Sequence, residues 1–434
     1  MSPGEVAAIL FGTFGVLVIL RVPVAFALGL ACVPVFMLSP RLSVSLLFDT
    51  MFVAYNSFIL LAVPFFLLAA NLMNSAGITQ RLIDLSRVLV GHLPGGLGHI
   101  NVMVSMLFAG ISGSSTADAA GIGSLLIPQM KKQGYDTSFS VAITACSSVM
   151  GVIIPPSILM VVWGGLMSVS IGGLFLAGVL PGIMLGLSMM AAVHIYAIRR
   201  GYPVHARSTR GEVGRAIVNA ILPLMTPLII VGGIVGGVFT PTEASVVAVL
   251  YALVLGLFIY RTVTFRTLPV VLYDSARFAA IALFCIGTAS AFGWLLAFYQ
   301  IPKSLVAILA TWGTGPIETG LLIALAFLIV GMFIDAIPAI IILGTVLMPV
   351  AEAAGIHPIH FAIIGVVSLA FGLVTPPYGL CLLIASSIGQ IKLVHALRDV
   401  CIILLPMLGV LLFIILFPEA IMALPRWIMP KFVG

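Results

Sequence analysis

The 434-residue chain has little charge. Asp, Glu, Lys and Arg together make up 7% of it, against about 25% in soluble domains, which excludes an ordinary water-soluble fold. Cysteine is sparse too. Cys32, Cys146, Cys285, Cys381 and Cys401 are scattered through apolar sequence without a C-x-x-C, and imply neither a disulfide framework nor a metal. A Walker A loop, a nucleophile–base set and zinc-ligand spacing are all missing, so ATP hydrolysis and enzyme chemistry have no residues to act through. No basic patch interleaved with aromatics points to nucleic acid. The apolar runs lack the alternation of a membrane β-barrel.

Apolar length is what the chain has in quantity. It is 62% hydrophobic, with runs such as Ala216–Val238, Phe278–Phe298 and Cys401–Phe417. A spanning helix takes about 20 such residues, so the chain has room for about ten. Lipid offers the backbone no hydrogen bonds, and without a barrel a helix bundle remains. Val6–Leu20 has no basic flank or clear cleavage site and leads straight into Val22–Met37, which reads as a retained span. Arg199–Arg215 carries five arginines against Glu212 alone and is assigned to the cytoplasmic face. Arg261–Arg277, two spans later, returns there. The stretch Gln80–Leu89 sets Leu82, Leu85, Val88 and Leu89 on one face, as an interfacial helix does.

The chain repeats itself. A shift of 221 residues lays Gly110 on Gly331, Pro128 on Pro349, Ser147 on Ser368, Gly151 on Gly372 and Pro155-Pro156 on Pro376-Pro377. Eleven of the fifty residues from 110 to 159 are identical under this shift, and the coincident Pro-Pro pair makes accident a poor explanation. The repeats read as inverted. Lys131 and Lys132 mark the turn of the first, whereas its counterpart Glu352–His357 has no Lys or Arg, which puts the two turns on opposite faces. Inverted repeats with interrupted helices at matching places point to a carrier with a midplane binding site.

The interruptions carry the candidate chemistry. Limbs at about Asn101–Ile111 and Ala119–Met130 are too short to span and suit a re-entrant hairpin with its tip at Ser112–Asp118. Ser112, Ser114, Ser115 and Thr116 offer hydroxyls, Gly113 permits a tight turn, and a half-helix N-terminus there presents N–H groups to an anion. Small-residue helix packing is the competing reading. Asp118, and Asp335 at the second tip, are costly at membrane depth and mark cation binding or ordering of the tips. An N-cap role for each is compatible with either. The breaks at Pro155-Pro156 and Pro376-Pro377 free carbonyls that can coordinate Na⁺, with Ser147, Ser148, Ser157, Ser368 and Thr375 as hydroxyl ligands nearby. Glu243 in Thr240-Pro241-Thr242-Glu243 reads as a capping box. His357 and His360 have metal-like spacing but no third ligand.

Several of these motifs resemble the large membrane subunit of tripartite ATP-independent periplasmic (TRAP) transporters over nearly the whole chain. They include Val63-Pro-Phe-Phe-Leu-Leu-Ala-Ala-Asn, Met106-Leu-Phe-Ala-Gly-Ile-Ser-Gly-Ser, Ala117-Asp-Ala-Ala, Ile153-Ile-Pro-Pro-Ser-Ile, Gly331-Met-Phe-Ile-Asp and Thr375-Pro-Pro-Tyr-Gly-Leu. The resemblance implies an all-α polytopic protein of the bacterial inner (cytoplasmic) membrane: an elevator-type, Na⁺-coupled symporter for carboxylates or sulfonates. It implies a separate small four-helix membrane subunit and a soluble periplasmic substrate-binding protein as partners, beside membrane lipid. Na⁺ is the coupling ion, and no organic cofactor is expected. Ser368 and Cys381 stand where many members carry Asn, and Tyr378 is bulky, so the substrate pocket is altered there.

On this reading residues 1–95 are scaffold helices with an amphipathic arm, and 96–198 the first transport repeat. Residues 199–215 form the cytoplasmic loop, 216–320 the second scaffold and arm, 321–395 the second transport repeat, and 396–434 a C-terminal span. The expected substrate set is Ser112, Ser114, Ser115, Thr116, Ser157, Ser368, Thr375 and Tyr378. The expected Na⁺ set is Gly113, Asp118, Ser147, Ser148, Asp335, Gly372 and Thr375, with Pro155, Pro156, Pro376 and Pro377 as structural breaks. An autonomous anion carrier needing no binding protein is the alternative, with a membrane scaffold or intramembrane enzyme further behind.

Overall fold

A computed structural model describes residues 1–39, 42–204, 206–311 and 315–430, and every regular element among them is helical. The last four residues of the expected C-terminal span lie outside the described residues. The first half runs α1 (Pro3–Ile19), α2 (Val24–Leu38), α3 (Ser45–Tyr55), α4 (Ala62–Ser75) and α5 (Ile78–Val90). There follow α6 (Gly96–Ser112), α7 (Ser115–Lys132), α8 (Thr137–Ser148), α9 (Ile158–Met167) and α10 (Ile171–Arg200). The second half runs α11 (Arg210–Val235), α12 (Pro241–Leu253, continued by π-helical turns to Ile259), α13 (Leu268–Phe298), α14 (Ile301–Thr311) and α15 (Pro316–Gly331). After these come α16 (Ala336–Ala353), α17 (Pro358–Gly372), α18 (Leu380–Gly389), α19 (Leu393–Leu416) and α20 (Pro418–Ile428).

The duplication extends well beyond the fifty residues that reveal it in sequence. Moved by 221 residues, α7 falls end to end on α16, and α8 begins where α17 begins. The amphipathic α5 falls on α14. The pair α3 and α4, bent by 68° at its break, falls on the single 31-residue helix α13. Among the described residues six helices are long and apolar enough to cross a membrane singly, or seven with the bent pair, fewer than the roughly ten that apolar length allows. Much of the remaining length lies in shorter apolar helices: α1, α2, the hairpin limbs α6 and α15, which pair with α7 and with the membrane-length α16, and the broken rods α8/α9 and α17/α18.

The hairpin limbs begin earlier than their polar punctuation suggests. Helix α6 starts at Gly96, before Asn101, because Gly95 in a left-handed conformation (φ 72°) opens the helix there. The first tip is narrower than Ser112–Asp118: Gly113 and Ser114 alone join the limbs, and Ser115–Asp118 form the first turn of α7.

Helix α10 establishes the inversion. Near its start Gly173 lies so close to Ile359, at the base of the second hairpin, that a Cβ there would come within 2.8 Å of the isoleucine Cδ1. At its end Arg200 pairs with Asp136, at the base of the first hairpin (2.7 Å). About 40 Å of helix separates the two contacts, so the hairpin bases stand on opposite faces of the membrane. Helix α19 repeats the relation: Asp399 accepts from Ser138 (2.7 Å), while the Ile414 carbonyl meets His360 Nε2 (2.8 Å). His360 is thereby committed to packing, and His357 caps α17 through Nδ1.

The broken rods form the centre. All residues of α8 from Phe139 to Ser148 are buried, as are all of α17 from Ile359 to Gly372. A helix without a polar face belongs inside. Each rod's second half crosses to the other repeat: α9 packs on α16 and α17, and α18 on α7 and α8. Backbones meet where glycine allows it. A Cβ on Gly372 would stand 2.5 Å from the carbonyl carbon of Gly331, so α17 touches α15 with no side chain between. Around this centre α2 and α3 pack against α13, and α4 against α12.

A polar cluster that no sequence motif announces closes the basic end. Asp399, with a side chain only 3% exposed, pairs with Arg200 (2.8 Å) and also accepts from Tyr196 (3.0 Å). Tyr202 donates to Asp136 (2.8 Å). Losing one member of a buried pair strands the other. Asp399→Ala is therefore expected to destabilise the protein by about 2 kcal/mol or more, less than a fully buried pair because Arg200 keeps partial solvent access. Thermal melting in detergent checks this, and an unchanged Tm would contradict it.

Candidate functional site

Both tips and both breaks meet at one cavity of about 730 Å³. The first tip supplies Gly113, Ser114, Ser115 and Thr116, and the second supplies Asp335, Ala336, Ile337 and Pro338. The breaks add Val152, Ile158, Leu373 and Tyr378. Beyond them the wall belongs to α4 and α13, with Val63, Leu67 and Cys285, and to the α1–α2 turn with Arg21. Among the described residues, Arg21 and Asp335 are the charged side chains lining it. A mostly apolar hollow of this size with a few convergent polar groups is the usual form of a small-molecule site.

Two half-helices begin at the cavity. Ser114 is the N-cap of α7, its hydroxyl accepting from Ala117 N (3.5 Å) and paired with Thr116 Oγ1 (3.1 Å). Asp335 is the N-cap of α16 and accepts from Ala336 N (2.8 Å). The first N–H groups of each helix have no intrahelical acceptor, so both present the positive end of a helix dipole to the space between them. Backbone bonds tie each tip to its own break: Ile158 N donates to Gly113 O (3.2 Å), and Tyr378 N to Met332 O (3.0 Å). Both Pro-Pro bonds are cis.

The two acids occupy different settings. Asp335 is exposed to the cavity. Asp118 is fully buried behind the first tip, where Ser112 donates to Oδ1 while Oδ2 has no hydrogen-bond partner among the described residues. A Cβ on Gly151 would come within 2.5 Å of that Oδ2 and 2.9 Å of the Ser114 carbonyl carbon, so only glycine lets the broken rod approach the carboxylate so closely. An unpartnered carboxylate oxygen beside the freed backbone of a break is a fitting donor set for a small hard cation.

The candidates divide by depth. Ser114, Ser115, Thr116, Tyr378, Gly113 and Asp335 line the cavity; Ser112, Asp118, Ser147, Ser148, Ser157, Ser368, Gly372 and Thr375 lie behind it. Ser157 caps α9 and donates to Val152 O (2.6 Å), Ser148 donates to Ala145 O (2.7 Å), and Thr375 to Phe371 O (2.7 Å). Ser147 belongs to a buried chain in which Ser105 donates to it (2.9 Å), it donates to Asn101 (3.0 Å), and Asn101 donates to Thr144 (2.7 Å). Ser115 and Ser368 have buried hydroxyls without a partner among the described residues. Sequence reasoning passed over Asn101 and Ser105, whose signal was an amide and a hydroxyl four apart inside an apolar limb. It also passed over Arg21, which stands between the spans Val6–Leu20 and Val22–Met37. Glu243 does form the capping box, with Thr240 N donating to Oε2 (2.8 Å).

An inverted helical repeat with two opposed hairpins closing on a midplane cavity defines a membrane transport protein, not an enzyme. The chain belongs to the family described as the DctM component of tripartite ATP-independent periplasmic transporters, whose profile matches residues 11–420. It is 38% identical over 417 residues to the sialic acid TRAP transporter large permease protein SiaM of Vibrio cholerae, covering 96% of this chain and 97% of that one. It is 35% identical to the isethionate TRAP transporter permease protein DctMQ of Oleidesulfovibrio alaskensis, covering 96% of this chain and 66% of that longer one. In fold it resembles the YdaH transporter of Alcanivorax borkumensis (TM-score 0.62, 15% identity, 88% of this chain and 90% of that one).

Gly151→Ala tests the close approach at Asp118. It is expected to lower transport at least about tenfold, since the added methyl must displace the tip or the rod. Gly12→Ala, with nothing within 4 Å, is the matched control and should transport normally.

Proposed function

We propose that the chain is the large membrane subunit of a Na⁺-coupled symporter that imports an organic anion, a carboxylate or sulfonate, across the bacterial inner membrane. The observation that carries this is the convergence of two half-helix N-termini on one cavity, a setting that favours an anion. The acid named for the Vibrio relative and the sulfonate named for the Oleidesulfovibrio relative agree with such cargo.

Na⁺ is assigned to the two breaks. At the first, Asp118 with Gly113, Ser147, Ser148 and the carbonyls around Gly151 form the donor set; at the second, Asp335 with Gly372 and Thr375. The anion is assigned to the hydroxyls of Ser114 and Thr116, to the N–H groups of Ser114, Ser115 and Thr116 and to Tyr378. Ser112, Ser157, Ser368 and Thr375 support the tips and breaks from behind. Cations offset the charge of two carboxylates and a bound anion, and so lower the cost of carrying them through lipid. The hairpins and broken rods are assigned to a unit that moves as an elevator against a stator containing α1–α4 and α11–α13. A periplasmic binding protein delivers the substrate, and a separate small four-helix subunit completes the membrane part. The longer DctMQ relative leaves a third of its length for such an element.

Proteoliposomes carrying this chain and both partners should take up substrate only with an inward Na⁺ gradient. Equal uptake without Na⁺ would refute the coupling, and uptake by this chain alone would remove the binding protein. Asp335→Ala should raise the Na⁺ concentration for half-maximal uptake at least about tenfold, since a charged ligand is lost; wild-type Na⁺ dependence would exclude Asp335 from the site.

A further inference from the structure

We propose that Arg21 holds the substrate's anionic group on the release side of the cavity, as a specificity-determining residue of the inward-facing state. This rests on the transport function proposed above. Arg21 occupies the short turn between α1 and α2 and lines the same cavity as Ser114–Thr116 and Asp335. Its backbone is left-handed (φ 63°), a conformation that L side chains seldom adopt and that glycine would fill without strain. The turn is pinned by Arg21 N bonding to Val18 O (2.9 Å) and Val22 N to Leu17 O (3.0 Å). An arginine kept where glycine fits better points to a use for its side chain. That side chain is exposed, and among the described residues it has neither an ion pair nor a hydrogen bond.

Helix packing places the turn on the cytoplasmic face. Helix α2 runs parallel to α13, with Phe26 against Phe284 (4.9 Å) and Phe36 against Trp294 (6.4 Å), so Arg21 stands on the N-terminal side of Phe284, level with Phe278–Ala282 and just past Arg277, toward the end of α13 that begins at Leu268. That end follows Arg261 and Arg266, and α11 and α12 cross out and back between it and the basic loop after Arg200. The amphipathic arm agrees, Arg81 stacking on Tyr260 at 3.5 Å. By the positive-inside rule this face is cytoplasmic.

The wall of the cavity is therefore divided by charge and by domain. The hydroxyls and helix N-termini belong to the hairpins, while the cation belongs to α1 and α2, which pack on the stator helix α13. A stator residue meets the cargo in one position of the moving unit and not in the other, so it changes affinity on one side of the membrane only. An exposed guanidinium suits a carboxylate or sulfonate, which accepts two of its N–H groups at once.

The complete transporter in proteoliposomes tests this, with sialic acid and isethionate as probes and internal substrate as inhibitor of uptake. Arg21→Gln should raise the inhibition constant of internal substrate at least about fivefold and leave the external KM within about twofold, while Arg21→Lys falls between Arg21→Gln and wild type, since it keeps the charge and loses the paired N–H groups. An internal constant within about twofold of wild type in Arg21→Gln would overturn the assignment. Should that variant fail to assemble, Arg21→Cys supplies a second readout. Saturating substrate should slow its reaction with a membrane-impermeant maleimide applied from the cytoplasmic face, scored by peptide mass spectrometry apart from Cys285 and Cys401. An unchanged rate would overturn it equally. Absence of uptake of both anions by the wild-type chain would instead refute the function on which this assignment rests.

Discussion

A helix that stops inside a membrane leaves unbonded N–H and C=O groups with no water to take them, and this chain stops its helices there four times: at two hairpin tips and two Pro-Pro breaks. Lipid forbids such ends unless they are buried in protein or line a cavity. The fold answers by bringing all four to one place. Each tip bonds to the break of its own repeat, the second half of each broken rod packs on the other repeat, and the groups left over face the central space. The central cavity is therefore a consequence of how the backbone is satisfied.

Two-fold construction explains why so much converges. A hairpin and broken rod used once would leave an open surface, whereas an inverted copy supplies the facing wall, with α10 and α19 separating the two bases by the thickness of the membrane. The halves have nevertheless diverged at the tips. Asp118 sits one turn into α7, buried behind the tip and bonded to Ser112, whereas Asp335 is itself the cap of α16 and faces the cavity. One acid is shut in behind its tip, and the other opens on the cavity.

Much of this was legible in the sequence because glycine, proline and charge are punctuation that lipid cannot override. The 221-residue shift, the opposed turns at Lys131-Lys132 and Glu352–His357, and the paired Pro-Pro breaks all carry local physical signals. The bent pair α3/α4 and the single helix α13 share no such signal, so the wider duplication emerges only in three dimensions. Depth was illegible for the same reason. Ser114 and Ser157 look alike in sequence and both cap helices, yet Ser114 lines the cavity and Ser157 is buried behind it. The Asp399–Arg200–Asp136 cluster joins residues 64 to 263 positions apart, and nothing along the chain relates them.

The central claim is that one anion site is built from both halves at once. Hydrogen–deuterium exchange of the complex in lipid nanodiscs, with Na⁺ and substrate against Na⁺ alone, tests it most directly. The account predicts that substrate slows exchange together at residues 113–118 and 333–338, and that replacing Na⁺ by choline abolishes both effects. Protection confined to one tip, or found away from both, would contradict it.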